Sequence, residues 1–414
     1  MTKRRVVITG LGCITALTES AEDLFDAVCQ GKSGISKIDS FDISRYPVKI
    51  GGQIRDFDPT KTIDHRESKR MDRFTQFAVA ASIQAVKDSG LDFASEDVTR
   101  AGVIVGTGIG GILEIEQQYV RLLEKGPNKV SPFCVPRLMG NAASGNIAIN
   151  FGLQGPNICV VSACASGSHA IGEAFCNILA GRSDIMVTGG SEAALSPLGL
   201  ASFCAARSLS TINDDPQHAS RPFDRDRDGF VLSEGAGILV IEEYEHARAR
   251  GAKIYAEILG YGATDDANHL TAPRDDGSGA ARAMQLAVAD AGIDKTSVDY
   301  INAHGTSTVL NDKAESAAIR SAFGDHAYKL AVSSTKSCLG HLLGASGAVE
   351  LLICSKVIEK SIIPPTINLE NVAPECDPKM DFVPNTAREK SVNYVMSNSL
   401  GFGGHNASLL IGKI

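Results

Sequence analysis

The sequence predicts an α/β fold with largely parallel sheets, arranged as two similar halves. Strand-like apolar runs alternate with helix-like ones, and short Gly-rich turns join them. These turns are AGVIVGTGIGG, NICVVSACASG and DIMVTGGSEAA in the first half, then DYINAHGTS and KLAVSSTKSCLGH in the second. NICVVSACASGSHAIG and LAVSSTKSCLGHLLGASG also look like counterparts of one another, as in an internally duplicated fold. The boundary is placed near Arg250-Gly251, between the helix-like YEHARAR and the strand-like KIYAEILGYG, which gives halves 1–250 and 251–414.

In the first half, Asn157 to Ser162 (NICVVS) reads as a strand and Ser166 to Gly181 as a helix. Ile171, Ala174, Phe175, Ile178 and Leu179 recur at helical spacing, and Gly181 suits the C-cap. Cys164, in the tripeptide between the two runs, therefore sits at a helix N-terminus. Aligned peptide dipoles and free N–H groups favour a thiolate there, so a low thiol pKa is expected. Taken alone, a free cysteine is more often a small buried hydrophobe.

The second half supplies two histidines. His304 follows the strand-like run Val298 to Ala303 and opens HGTSTVLNDKAE. His341 lies in SSTKSCLGHLLGASGAVE, between a strand-like run and an apolar helix. All three residues fall at C-terminal ends of strands, the edge where open α/β sheets bind ligands, so they can converge although distant in sequence.

Composition is that of a globular protein. With 414 residues, 43% hydrophobic and 21% charged, the chain is long enough for two domains and a large core. No charged-then-apolar leader follows Met1, and the most apolar helix, around Leu342 to Ile353, is interrupted by Glu350 and too short for a bilayer. The cytoplasm is the expected compartment, without membrane insertion. Ten cysteines without CxxC pairs fit reduced thiols better than disulfides or a zinc site. A net charge of −8 argues against general nucleic-acid affinity.

The segments VVSACASGSHAIG, AHGTSTVLNDKAE, SSTKSCLGHLLGASGAVE and NSLGFGGHN, in this order, resemble the motif set of the β-ketoacyl-[acyl carrier protein] synthases, with the synthase II branch nearest. RVVITGLG, SRPFDRDRDGFVLSEGAG and PPTINLEN match as well, so the resemblance covers essentially the whole chain. It implies a thiolase-like fold, with two duplicated α/β halves in a layered αβαβα arrangement, and a homodimer. It also implies a decarboxylative Claisen condensation of acyl- with malonyl-[acyl carrier protein] in fatty-acid elongation. Cys164 would carry the acyl group, and His304 and His341, as neutral imidazoles, would hold the enolate oxygen. Backbone N–H groups of Cys164 and Phe402 would form the oxyanion hole.

The same resemblance assigns Lys336 and Glu350 to electrostatics and to fixing the loop around the second histidine. Thr306 and Thr308 would hydrogen-bond the phosphopantetheine arm, which arrives on the acyl carrier protein, so no cofactor of the enzyme's own and no metal is implied. Phe402 would gate the acyl pocket. Ile109, Phe203 and Cys134 would line it, Cys134 from the partner subunit and with less bulk than the usual aromatic. The carrier is acidic, and Arg66, Lys69, Arg70, Lys129 and Arg207 are candidates for the basic patch that meets it.

Other features point elsewhere and carry less. Gly106 to Gly111 (GTGIGG) fits a dinucleotide loop, but no acidic strand end follows at the usual distance. Asp224, Asp226 and Asp228 mimic a calcium loop whose twelfth position is Gly235 instead of Glu. His65, His218, His246 and His326 are read as surface residues. Val309, Leu400, His405, Cys338-Leu339 and Cys134 depart from the family pattern without removing a catalytic group; they bear on chain length and carrier. Two alternatives stay open here: a ketosynthase of a specialised lipid or polyketide pathway, and a non-catalytic chain-length-factor subunit, which would lack the nucleophilic cysteine. A degradative thiolase is disfavoured, because it needs a second reactive cysteine.

Overall fold

The structure is a computed structural model that describes residues 4–414, so the Met1 end of the leader reading lies outside it. Ten strands form one mixed sheet. In chain order they are β1 (Val6–Ile14), β2 (Ala101–Gly106), β3 (Asn157–Val160), β4 (Ile185–Glu192), β5 (Gly235–Glu243), β6 (Ala256–Asp265), β7 (Tyr300–Asn302), β8 (Ala331–Ser333), β9 (Tyr394–Gly401) and β10 (His405–Gly412). Their order across the sheet is β8-β7-β9-β10-β6-β1-β5-β4-β2-β3.

That order is a duplication. Counted outward from the centre, the first half runs first, fifth, fourth, second and third strand, and so does the second half. The pairings agree: the first strand is antiparallel to the fifth and the fifth to the fourth, while the fourth, second and third are parallel. Within the sheet, β1 and β6 join the halves, through Val6–Ile258, Val7–Glu257 and Ile8–Ala256. β1 is buried at all nine positions, as its near-continuous apolar run requires of a strand covered on both faces.

Helices repeat in the same way. The first half uses α1 (Arg73–Ser89), α2 (Ala142–Phe151) and α3 (Ser166–Leu179); the second uses α4 (Ser278–Ala291), α5 (Val309–Phe323) and α6 (Ser346–Lys360). α3 and α6 pack against each other between the two halves of the sheet, in a core with Ile171, Phe175, Val349, Leu352 and Ile353. α1 and α2 cover the outer face of one half through Phe74, Phe77 and Ile147, and α4 and α5 cover the other through Met284, Ile319 and Phe323. The five layers are helix, sheet, helix, sheet, helix, the thiolase-like αβαβα arrangement.

Element ends depart a little from the sequence reading. The strand before Cys164 stops at Val160, and the α6 helix starts at Ser346, because tight turns at Ala163–Ala165 and Leu343–Ala345 precede α3 and α6. The connection after Arg250 follows the short helix Tyr244–Ala249, and Arg250 is held by a 2.5 Å ion pair to Glu242. Among the described residues no helix is long and apolar enough to cross a membrane.

Candidate active site

Cys164 is delivered by an elbow. After β3 the chain turns at Ala163, whose φ of 50° lies in the left-handed region that side chains resist. Ser166 clamps the turn: its hydroxyl donates to Ala163 O at 2.6 Å and accepts from Ser162 N–H at 2.9 Å. The backbone N–H groups of Phe402 and of Cys164 itself lie where they favour the thiolate of Cys164. The expected low thiol pKa is not what this closed site produces. Burial pushes the thiol up to about 12, and the Lys336 ammonium and these N–H groups only partly oppose it. Position at a helix start was legible in the sequence; burial was not.

His304 and His341 meet from two different strand ends, with ring centroids 5.2 Å apart and ring planes at 83°. Both are buried, and burial drives both pKa values well below the usual histidine value, helped by the nearby Lys336 charge. Both rings are therefore neutral at pH 7. Lys336 Nζ lies 3.3 Å from His304 Nδ1 and, having only donors, must donate. Ser346 Oγ lies 2.9 Å from His341 Nδ1. With Nδ1 of His304 engaged as an acceptor, that ring carries its proton on Nε2, while the Ser346 hydroxyl, able to donate or accept, anchors the His341 ring. Lys336 is also paired with Glu350, both side chains buried behind the histidines.

A cavity of about 330 Å³ opens over these groups. Its lining includes Cys164, Phe203, His304, Thr306, Thr308, His341, Leu400 and Phe402, and Arg207 stands at its wall. Thr306 and Thr308 hydroxyls are 3.0 Å apart, and Thr308 also caps α5. Phe402 sits on a loop with Gly403 and Gly404 at φ 91° and 84°. That loop is tied to the Asp266–Leu270 segment: Gly403 N–H donates to Leu270 O at 2.7 Å, and Asp266 N–H to Gly404 O at 2.9 Å.

The remaining sequence-derived residues lie elsewhere. Ile109 and Cys134 are outside this cavity's lining, as are Lys336 and Glu350. Arg66, Lys69, Arg70 and Lys129 are exposed, and Arg70 lies over the Phe133 ring at 5.5 Å, away from the cavity of its own chain. His246 is not a surface residue: it is half-buried between Glu242 at 2.7 Å and Glu96 at 3.0 Å. His326 is half-buried too, against Val298 O at 2.9 Å. His65 and His218 are exposed.

Two carboxylates were missed. Glu315 accepts from the backbone N–H of His304 at 2.7 Å and of Gly305 at 2.8 Å, so it fixes the turn that carries the first histidine. It ends the quoted AHGTSTVLNDKAE, and a buried acid on a helix following that turn was the available signal. Glu192 ends β4 and accepts from Gly108 N–H at 2.6 Å, Ile109 N–H at 3.1 Å and Gly344 N–H at 3.1 Å. This disposes of the dinucleotide reading of GTGIGG, since the N–H groups that would cradle a phosphate end on a carboxylate. Asp224 is likewise taken by the N–H groups of Asp226, Glu370 and Asn371.

Comparison with known proteins agrees with the geometry. The family descriptions "Beta-ketoacyl synthase, N-terminal domain" and "Beta-ketoacyl synthase, C-terminal domain" match residues 3–247 and 255–370. A Synechocystis protein named 3-oxoacyl-[acyl-carrier-protein] synthase 2 is 52% identical over 99% of this chain and 98% of its own. One of the same name from Coxiella burnetii is 50% identical over 100% of both chains. Among solved structures, a beta-ketoacyl synthase from Burkholderia phymatum is 37% identical with a TM-score of 0.92, covering 99% of this chain and all of its own. A ketosynthase in complex with its type II PKS acyl-carrier protein is 34% identical, also with a TM-score of 0.92, over 100% of both chains.

Proposed function

This chain belongs to the beta-ketoacyl synthase family, and we propose from that premise the following assignment of its residues. The enzyme condenses acyl-[acyl carrier protein] with malonyl-[acyl carrier protein] to 3-oxoacyl-[acyl carrier protein] in fatty-acid elongation. The observation that carries the assignment is one buried thiol that shares a cavity with two neutral imidazoles.

In the first half-reaction the Cys164 sulfur, losing its proton, attacks the thioester carbonyl of the acyl carrier. The carbonyl oxygen becomes an oxyanion held by the Cys164 and Phe402 N–H groups. The carrier leaves as its thiol, and the acyl group stays on Cys164 as a thioester. Malonyl carrier then binds. Its C–carboxylate bond breaks, carbon dioxide leaves, and the electron pair moves onto the thioester oxygen as an enolate. The Nε2–H groups of His304 and His341 donate to that oxygen. The enolate carbon attacks the acyl carbonyl, the bond to sulfur breaks, and the Cys164 thiolate takes a proton from water, since its first proton left on the carrier thiol. Lys336 and Glu350 act as positioning residues behind the histidines.

The phosphopantetheine arm enters on the carrier, past Thr306 and Thr308, so the enzyme needs no cofactor of its own. The basic residues Arg66, Lys69, Arg70, Lys129 and Arg207 receive the acidic carrier. The halves are taken as 1–250 and 251–414, and the enzyme works as a homodimer in the cytoplasm. A contrast between the two sheet edges supports the dimer. The β8 edge is covered, with Val332 N–H donating to Asp381 O at 2.8 Å. The β3 edge is open and apolar, with Ile158 49% and Val161 64% exposed, which is the kind of edge that a second copy must cover.

Incubation with a panel of acyl carriers followed by mass spectrometry of the Cys164 peptide tests this function. Acyl adducts on Cys164 are expected in the parent, and Cys164→Ala is expected to lose both adduct and condensation. Undiminished condensation by Cys164→Ala would overturn the assignment.

A further inference from the structure

The duplication places two elbows face to face with two strand ends, and the two meetings differ in one side chain. Ala163–Ala165 and Leu343–Ala345 are equivalent turns: each precedes the third helix of its half, and Ala163 and Leu343 share a left-handed φ of 50° and 48°. Gly344 is thus the structural twin of Cys164. Each elbow packs against the end of the fourth strand of the other half. At Cys164 that end is Gly401, where a Cβ would stand only 3.2 Å from Cys164 N, so this strand end approaches the elbow without a side chain. At Gly344 the end is Glu192, and its carboxylate takes the twin N–H permanently at 3.1 Å.

Glu192 holds more than that. The elbow it grips lies between His341 and Ser346, which are joined by a 2.9 Å hydrogen bond at His341 Nδ1. Its other contacts fall on the loop after β2: Gly108 N–H at 2.6 Å, Ile109 N–H at 3.1 Å and the Thr107 hydroxyl at 3.0 Å. Thr107 in turn accepts from Gly110 N–H at 3.1 Å. Two segments more than two hundred residues apart are thereby fastened to one fully buried carboxylate.

We propose that Glu192 is a positioning residue that seats His341 and the Gly108–Ile109 pocket loop together. The tie itself is geometric; its consequence for activity rests on the function proposed above. Burial pushes the Glu192 carboxyl up, while the four donors pull it down and keep it the natural acceptor for them.

The test uses the full-length protein and Glu192→Gln, which keeps shape but turns one oxygen into an N–H donor facing N–H donors. Backbone amide exchange is followed in peptides covering 107–110 and 343–345. Exchange is expected to accelerate about tenfold in both segments, the size expected when buried donors lose an acceptor. Malonyl-carrier decarboxylation should lose about tenfold in kcat with KM within about twofold, because His341 and not the carrier surface is disturbed. Thr107→Val removes the hydroxyl bond to Glu192 and the acceptor of Gly110 N–H but leaves the Gly108, Ile109 and Gly344 bonds, so it should accelerate exchange in 107–110 alone and keep decarboxylation within about twofold of the parent. Exchange that rises in one segment or neither in Glu192→Gln, or an unchanged decarboxylation kcat, overturns the proposal. If Glu192→Gln does not fold, unchanged exchange at 107–110 in Thr107→Val overturns it. A parent that neither accepts acyl groups nor decarboxylates malonyl carrier would count against the proposed function, while the exchange result would still decide the tie.

Discussion

Lys336 Nζ donates to His304 Nδ1 at 3.3 Å, and this one contact decides which nitrogen of His304 bears the proton. An ammonium cannot accept, so Nδ1 must, and the proton sits on Nε2. The same ammonium lowers the pKa of both histidines and of Cys164. A single buried charge thus adds to burial in keeping two imidazoles neutral and opposes the effect of burial on the thiol.

Removing either imidazole should cost decarboxylation more than acyl transfer. His304→Ala and His341→Ala are each expected to lose malonyl decarboxylation by roughly 10²-fold or more while still accepting some acyl group on Cys164. Release of labelled carbon dioxide and mass of the Cys164 peptide measure the two steps separately. A variant that decarboxylates at the parental rate would give that histidine another role.

The thiol should behave as a buried one. Because burial raises the Cys164 pKa to about 12, its alkylation by iodoacetamide should climb with pH from about 7 to 10 without levelling, as the thiolate fraction does. Lys336→Met removes the charge that favours the thiolate and should slow alkylation about tenfold at fixed pH. A plateau near neutral pH, or no change in Lys336→Met, would show that the thiolate is stabilised by something other than Lys336.

Carrier recognition should depend on charge. Arg207→Glu combined with Lys69→Glu is expected to weaken acyl-carrier substrates far more than acyl-pantetheine ones, and added salt should shrink the difference. Equal losses on both substrates would indicate a damaged site.

His246 should make stability pH-dependent. Its hydrogen bond to Glu242, reinforced by Glu96, raises its pKa from 6.5 to about 9. A raised folded pKa stabilises fully below pH 6.5, and that stabilisation is lost as pH climbs through about 9. The ring is 26% exposed, so the contribution is discounted to about 2 kcal/mol. Thermal unfolding of His246→Gln should therefore fall below the parent most at pH 6 and approach it by pH 10. A gap that is constant with pH would assign the effect to packing.

What the sequence determined by itself was local. Apolar alternation, Gly-rich turns and the paired segments around Cys164 and His341 set the α/β class and the duplication, because strand and helix periods are written in consecutive residues. The motif resemblance added the reaction and named Cys164, His304 and His341. Only the tertiary structure decided how these groups are wired. That β1 and β6 join the halves into one sheet depends on pairing between strands about 250 residues apart. That Glu192 and Glu315 hold the loops beneath the histidines, that His246 sits between two carboxylates, and that the thiol is raised instead of lowered all follow from burial. Burial is a property of what packs around a residue from distant parts of the chain. A local pattern shows that Cys164 starts a helix; only the assembled layers show that the helix starts at a buried position.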